Sequence, residues 1–86
     1  MSIEKPLDID PAVVQEQIAA IWQDVLRMPA DRRDATFFEL QGQSVSAVRI
    51  AARIEDELGI VIDVGILFED PNLDTFVSKV MAGSTR

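Results

Sequence analysis

The chain reads as all-α, a small four-helix bundle of three longer helices and one short one, with a long loop between helices 1 and 2. Three observations lead there. Apolar residues recur at helical spacing in three stretches: Val14, Ile18, Ile21, Trp22 and Val25; then Ala47, Ile50, Ala51, Ile54 and Leu58; then Leu73, Phe76, Val77 and Val80. Cap-then-proline pairs stand at Asp10-Pro11 and Asp70-Pro71, and Gly59 sits where helices commonly end in the left-handed conformation. The strand-like run Ile60-Val61-Ile62 finds no partner strand elsewhere, so it is expected to fill a gap between helices.

The first helix is expected to start at Asp10-Pro11 and to end at Met28-Pro29. Trp22 lies on its buried stripe, which favours packing over a ligand-stacking role. Residues 29–43 form a long connection containing Asp31-Arg32-Arg33-Asp34, then Phe37, Phe38 and Leu40, whose apolar side chains should pin the loop to the bundle. A loop of that length in a small domain is usually functional or a misread element. This one ends at a serine. The second helix runs from Ser44 to Leu58, Asp63 is expected to cap a short helical turn through Phe68, and Asp70-Pro71 should cap the last helix. The ordered core is expected over about 10–82, with Gly83 to Arg86 frayed.

Ser44 follows Gly42-Gln43 and directly precedes the helix-patterned run, either as N-cap or as first helical residue. Taken from position alone, its hydroxyl caps the helix, for a stabilisation of about 1 kcal/mol. The same position also suits covalent modification. It is accessible, Gly42 lends the backbone freedom, and a phosphate there would meet the exposed N–H groups and the positive end of the helix dipole. On the helix after Ser44, Ala47, Ile50, Ala51, Ile54 and Leu58 form the core sector. Val45, Val48 and Ala52 form a second, partly exposed sector beside the serine, with Arg49 at its edge able to pair with carboxylates on a partner.

Asp34, Phe37-Phe38-Glu39-Leu40, Gly42 and Ser44, followed by Arg49-Ile50 and Leu58-Gly59-Ile60, resemble a peptidyl carrier protein, the thiolation domain of nonribosomal peptide synthesis. The resemblance extends from about Asp10 to about Met81. It implies that 1–86 form a single carrier domain and that Ser44, flanked by Gly42 and Gln43, bears a 4′-phosphopantetheine arm derived from coenzyme A. The terminal thiol of that arm would hold an aminoacyl or peptidyl group as a thioester. The partners implied are a phosphopantetheinyl transferase, an adenylation enzyme, and condensation or other tailoring enzymes. The helix after Ser44 would be the main docking element through Val45, Val48, Arg49 and Ala52, with Leu67, Phe37 and Met28 as weaker contacts. Two positions depart from the family pattern: Gln41 stands where a second glycine is common, and Gln43 where His or Asp usually precedes the serine. Both bear on recognition by the transferase and the loading enzyme.

Composition bounds the rest. Eighty-six residues, 48% of them hydrophobic, suffice for one core and one domain. With no cysteine and no histidine there is no disulfide, the usual zinc and copper ligands are missing, and Ser44 lacks the commonest general base, so neither a metal site nor catalysis is expected. No run is long and apolar enough for a membrane span and the N-terminus lacks a signal pattern, which leads to a cytoplasmic expectation. A net charge of −7 opposes nucleic-acid binding. Carboxylates crowd the segment from Glu55 to Asp74, which holds no Lys or Arg; beyond a solvated face, they could steer a basic enzyme partner. No synthetase region accompanies the carrier, so a free-standing monomer is expected. The nearest rival is an acyl carrier of polyketide or fatty-acid synthesis, against which Gln43, Val45, Val48 and Arg49 argue. From another class comes a helical interaction domain in which Ser44 only caps.

Overall fold

The computed structural model describes residues 10–83. Three α-helices form the frame: α1 (Pro11–Leu26), α2 (Ser44–Leu58) and α3 (Leu73–Gly83). A short 3-10 helix, Val64–Glu69, lies between α2 and α3, and a single 3-10 turn, Ala30–Arg32, interrupts the long connection after α1. Among the described residues there is no strand, only one isolated bridge between Thr36 and Asn72. Expectations for the residues before Asp10 and after Gly83 lie outside the described residues; Gly83 itself closes α3.

Each helix starts and stops for a local reason. Asp10 accepts from the Ala12 N–H and Pro11 occupies the first turn, where a missing N–H is harmless. α1 ends at Arg27, left-handed at φ 53°, with the Arg27 and Met28 N–H groups both donating to the Gln23 carbonyl. Gly59, at φ 71°, ends α2 in the same way. Asp63 accepts from the Gly65 N–H and opens the 3-10 helix.

The device expected at Asp70-Pro71 is not there. Asn72 caps α3 through the Thr75 N–H, two residues later. Asp70 instead adopts φ 64° and accepts from the Phe38 N–H on the far side of the chain. A left-handed residue cannot open a helix two positions before the backbone turns helical, and its carboxylate is already engaged.

The core is one cluster drawn from all three helices, the loop and the 3-10 helix. Trp22, Phe37, Phe76, Ile50, Ile54 and Leu67 are fully buried within it. Trp22 packs on Phe76 with ring centroids 5.2 Å apart and on Phe37 at 6.2 Å, as its place on the α1 stripe requires. Ala47, Ile50 and Ile54 are buried while Ala51 and Leu58 are half-buried, so the expected core sector of α2 faces inward. Ile60 and Ile62 pack against the cluster and Val61 points outward, 77% exposed.

The long connection is tied down by hydrogen bonds as well as by apolar side chains. Thr36 and Glu39 form a reciprocal capping box: the Thr36 N–H donates to Glu39 Oε1 and the Glu39 N–H to Thr36 Oγ1. The Phe37 N–H donates to the Pro71 carbonyl at 2.8 Å and the Phe38 N–H to Asp70. Phe37 and Leu40 thereby enter the core, whereas Phe38 stays 48% exposed. This segment is what positions the serine.

Candidate functional site

Ser44 is the first residue of α2 and is exposed. Gln43 occupies the N-cap position and supplies no side-chain cap, and the Ser44 hydroxyl makes no hydrogen bond among the described residues. The capping role considered for Ser44 is therefore not performed. α1 and α3, in contrast, each have an Asx side chain over their first turn. At α2 the first backbone acceptor bond in the helix goes from the Ala47 N–H to the Gln43 carbonyl, which leaves the N–H groups of Ser44, Val45 and Ser46 without an acceptor among the described residues. Orphan donors and the positive end of the helix dipole meet at a free, exposed hydroxyl. Those residues fit a phosphodiester on Ser44, because an anion there would occupy the donors that no side chain has claimed.

Gly42 is needed here for space, not for freedom of φ. A Cβ on it would lie 2.5 Å from Phe37 Cε1, closer than packed atoms tolerate. The close approach presses the turn against the buried ring and delivers the chain to Ser44. Gln41, just before, is left-handed at φ 69°, which explains physically why a glycine suits that position.

The outer face of α2 gathers the expected surface. Val45 is 67% exposed, Val48 57%, and Arg49 and Ala52 are exposed beside them. Two of the weaker contacts are corrected. Leu67 is fully buried, since in a six-residue 3-10 helix the side chains eclipse every three residues and Leu67 falls on the inward row. Its neighbour Phe68 is the exposed one, at 44%. Phe37 is likewise wholly buried. Met28 is half-buried. Phe38 and Phe68 flank Phe37 at 5.5 and 6.3 Å between ring centroids, so they emerge at the surface beside the ring that carries Gly42. Sequence reasoning did not single out Phe68; the only available signal was the period of three that a very short helix imposes.

The acidic segment is less bare than its composition indicates. Glu57 pairs with Arg53, Glu69 with Lys79 and Asp74 with Arg33, which leaves Glu55, Asp56, Asp63 and Asp70 without an ion pair among the described residues, Asp70 being engaged by the Phe38 N–H. Hydrogen bonds donated to Glu57 first and to Asp24 second raise the pKa of Arg53 above that of an ordinary arginine. Among the described residues no group of carboxylates could hold a metal ion, and no helix is long and apolar enough to cross a membrane.

A family model described as "Phosphopantetheine attachment site" matches residues 16–80. The chain is 38% identical over 78 residues to phosphinothricin tripeptide synthetase PhsC of Streptomyces viridochromogenes, and 34% identical over 77 residues to a dimodular nonribosomal peptide synthase of Bacillus subtilis. These alignments cover 91% and 88% of this chain but only 7% and 3% of those proteins. Among solved structures it resembles BlmI, a type-II acyl-carrier-protein from Streptomyces verticillus involved in bleomycin biosynthesis, with a TM-score of 0.71 and 25% identity over 87% of this chain and 90% of that one. With a free serine at an uncapped helix start inside the matched region, the chain belongs to the phosphopantetheine-attachment family of carrier domains, non-catalytic proteins that bear a covalent 4′-phosphopantetheine arm and are represented here by nonribosomal peptide synthetase relatives.

Proposed function

We propose that residues 1–86 act as a single carrier domain whose arm is attached at Ser44, and that the chain presents an aminoacyl or peptidyl thioester to enzymes of nonribosomal peptide or hybrid biosynthesis. The observation that carries this reading is the exposed Ser44 hydroxyl at the one α-helix start, among the described residues, where no side chain occupies the first N–H groups. When attached, the arm supplies a terminal thiol on which an acyl group is carried. Holding that arm and presenting it to partners is the work of this chain's own residues.

The N–H groups of Ser44, Val45 and Ser46 would hold the anionic end of the arm, and the Gly42–Phe37 contact keeps the turn in place so that Ser44 stays at the surface. A phosphopantetheinyl transferase supplies the catalytic groups for attachment, since the chain has no histidine or cysteine of its own. Val45, Val48, Arg49 and Ala52, joined by Phe68 in place of Leu67, form the surface on which that enzyme, an adenylation enzyme and condensation or tailoring enzymes dock in turn. Delivery from a docked carrier raises the local substrate concentration to a roughly mM scale, so each enzyme need bind the monomeric carrier only weakly. Glu55, Asp56 and Asp63 steer basic partner surfaces, an effect that salt should diminish. A cytoplasmic setting, where coenzyme A is at hand, belongs to the same proposal.

The test is the intact mass of the chain before and after incubation with coenzyme A and a promiscuous phosphopantetheinyl transferase. A single added arm, absent from Ser44→Ala, is expected; an unmodified mass would leave a helical interaction domain. A second reading, an acyl carrier of polyketide or fatty-acid synthesis, is favoured by the likeness to BlmI, itself a type-II acyl-carrier-protein. Loading assays separate the two, because malonyl or fatty-acyl transfer with no aminoacyl transfer by any adenylating enzyme would reverse the preference. The likeness to BlmI also supports a free-standing form, whereas the curated relatives hold the matching stretch within far longer chains.

A further inference from the structure

The chain is acidic overall, yet Arg27, Arg49 and Arg53 line one hollow of about 440 Å³ together with Gln23, Asp24 and Val25. It lies between the C-terminal end of α1 and the outer face of α2. Arg53 is already engaged by Asp24 and Glu57. Arg27 and Arg49 have no carboxylate partner among the described residues. Arg27 and Arg49 thus border one hollow with no ion-pair partner among the described residues.

The local backbone does not account for Arg27. It sits left-handed at φ 53°, a conformation that disfavours a side chain and in which glycine would be the easier choice. A cation beside a helix C-terminus recovers part of that through the dipole, but this explains a charge and not the convergence with Arg49 from another helix. Arg49 is also continuous with the apolar face of Val45, Val48 and Ala52, so whatever docks on that face meets the hollow at its edge.

We propose that the Arg27–Arg49 hollow is a docking site for carboxylate side chains of a partner enzyme. It rests on the carrier reading only in taking enzymes as the partners. Arginine suits the task because its planar fork accepts a carboxylate through two parallel hydrogen bonds. The carrier then offers opposite signs along its serine helix: the Arg27–Arg49 hollow beside α1, and Glu55, Asp56 and Asp63 towards and beyond the C-terminal end of α2. A partner with complementary signs can engage in one orientation only, which sets the direction from which Ser44 is approached.

The probe is a short poly-glutamate peptide titrated at low salt into the full-length, 15N-labelled chain. Because the chain has a net charge of −7, general attraction to this peptide is absent and binding reports a local site. The expected result is resonance shifts at Arg27, Arg49 and Arg53 that disappear in high salt. Arg27→Glu and Arg49→Glu should each weaken binding about fivefold, the order of one exposed ion pair, and by more than the charge-matched control Arg32→Glu. The proposal is overturned if the shifts map elsewhere, if Arg32→Glu weakens binding as much, or if inorganic phosphate alone saturates the same resonances as tightly as the peptide. Concentration-dependent self-association through the hollow would overturn it as well, by making a second copy the occupant. The wild-type titration decides the matter even if a variant fails to fold. Arm attachment, read separately by mass, distinguishes failure of this site from failure of the carrier reading.

Discussion

The Cα of Gly42 rests against the ring of Phe37 so closely that a methyl group on it would stand 2.5 to 2.6 Å from three ring carbons. Phe37 cannot easily yield, because it is fully buried and packed on Trp22. Gly42→Ala should therefore destabilise the fold by about 1–3 kcal/mol, the range for overpacking, as measured by urea denaturation. In a double-mutant cycle with Phe37→Leu, which frees space under the turn, most of that loss should be recovered. Additive losses would mean that the glycine serves backbone conformation alone.

Gln41 stands one residue earlier, in the left-handed region at φ 69°. A side chain there costs about 1 kcal/mol, partly offset because glycine loses more entropy on folding. Gln41→Gly should thus raise the melting temperature modestly, by about 3 °C. Gln41→Val, with a branched Cβ, should lower it. Equal melting temperatures for the two variants would show that the turn relaxes without strain.

Ser44 gives its helix no side-chain cap, so its loss should separate function from stability. Ser44→Ala is expected to abolish arm attachment by intact mass while changing unfolding stability by less than about 0.5 kcal/mol, below the value of a working cap. A loss of about 1 kcal/mol or more, the value of a working cap, would return the serine to a structural role.

What the sequence made legible follows the length over which a pattern repeats. Ile18, Ile21 and Trp22, or Ala47, Ile50 and Ile54, belong to stripes that run over several turns, and that periodicity alone specifies which side is buried. The position of Ser44 at the exposed start of α2 was legible through its neighbours, and the exposure of Val45 and Val48 through the complementary sector of the same helix. Leu67 was not, because six residues of 3-10 helix offer too few repeats to fix which side faces in. Asp70 was misread for a related reason: Asp-Pro marks a turn, but the choice between capping the next helix and binding Phe38 depends on a partner 32 positions away. The Thr36-x-x-Glu39 box was readable as a capping motif and would have divided the long loop into an ordered turn and a shorter remainder.

Asp70 therefore does two things that substitutions can separate. Its carboxylate accepts from the Phe38 N–H at 2.9 Å, and its backbone is left-handed at φ 64°. Asp70→Asn keeps an acceptor and tolerates that conformation, so it should cost less than about 0.5 kcal/mol. Asp70→Gly removes the acceptor alone and should cost about 1 kcal/mol, and Asp70→Ala adds the backbone penalty to reach about 2 kcal/mol. Amide exchange at Phe38 should accelerate in the Gly and Ala variants and not in the Asn variant. If all three unfold alike, the contact does not anchor the loop.

Trp22 combines the largest buried side chain with a polar atom that has no partner: its Nε1 is buried and makes no hydrogen bond among the described residues. Two opposed effects set the outcome of Trp22→Phe. Shrinking the ring opens a cavity between Phe37 and Phe76 and forfeits contacts, while deleting an N–H that is already unsatisfied returns about 1–3 kcal/mol of desolvation penalty. The net loss should be about 1 kcal/mol, well short of the roughly 3–5 kcal/mol expected for Trp22→Ala, where nothing refills the space. Urea denaturation of the two variants reads the difference directly, followed by circular dichroism because the single tryptophan is the residue being replaced. A Trp22→Phe loss approaching that of Trp22→Ala would mean that the indole N–H is satisfied in solution, by a water or a carbonyl drawn close, and that the core is wetter at this point than its packing suggests.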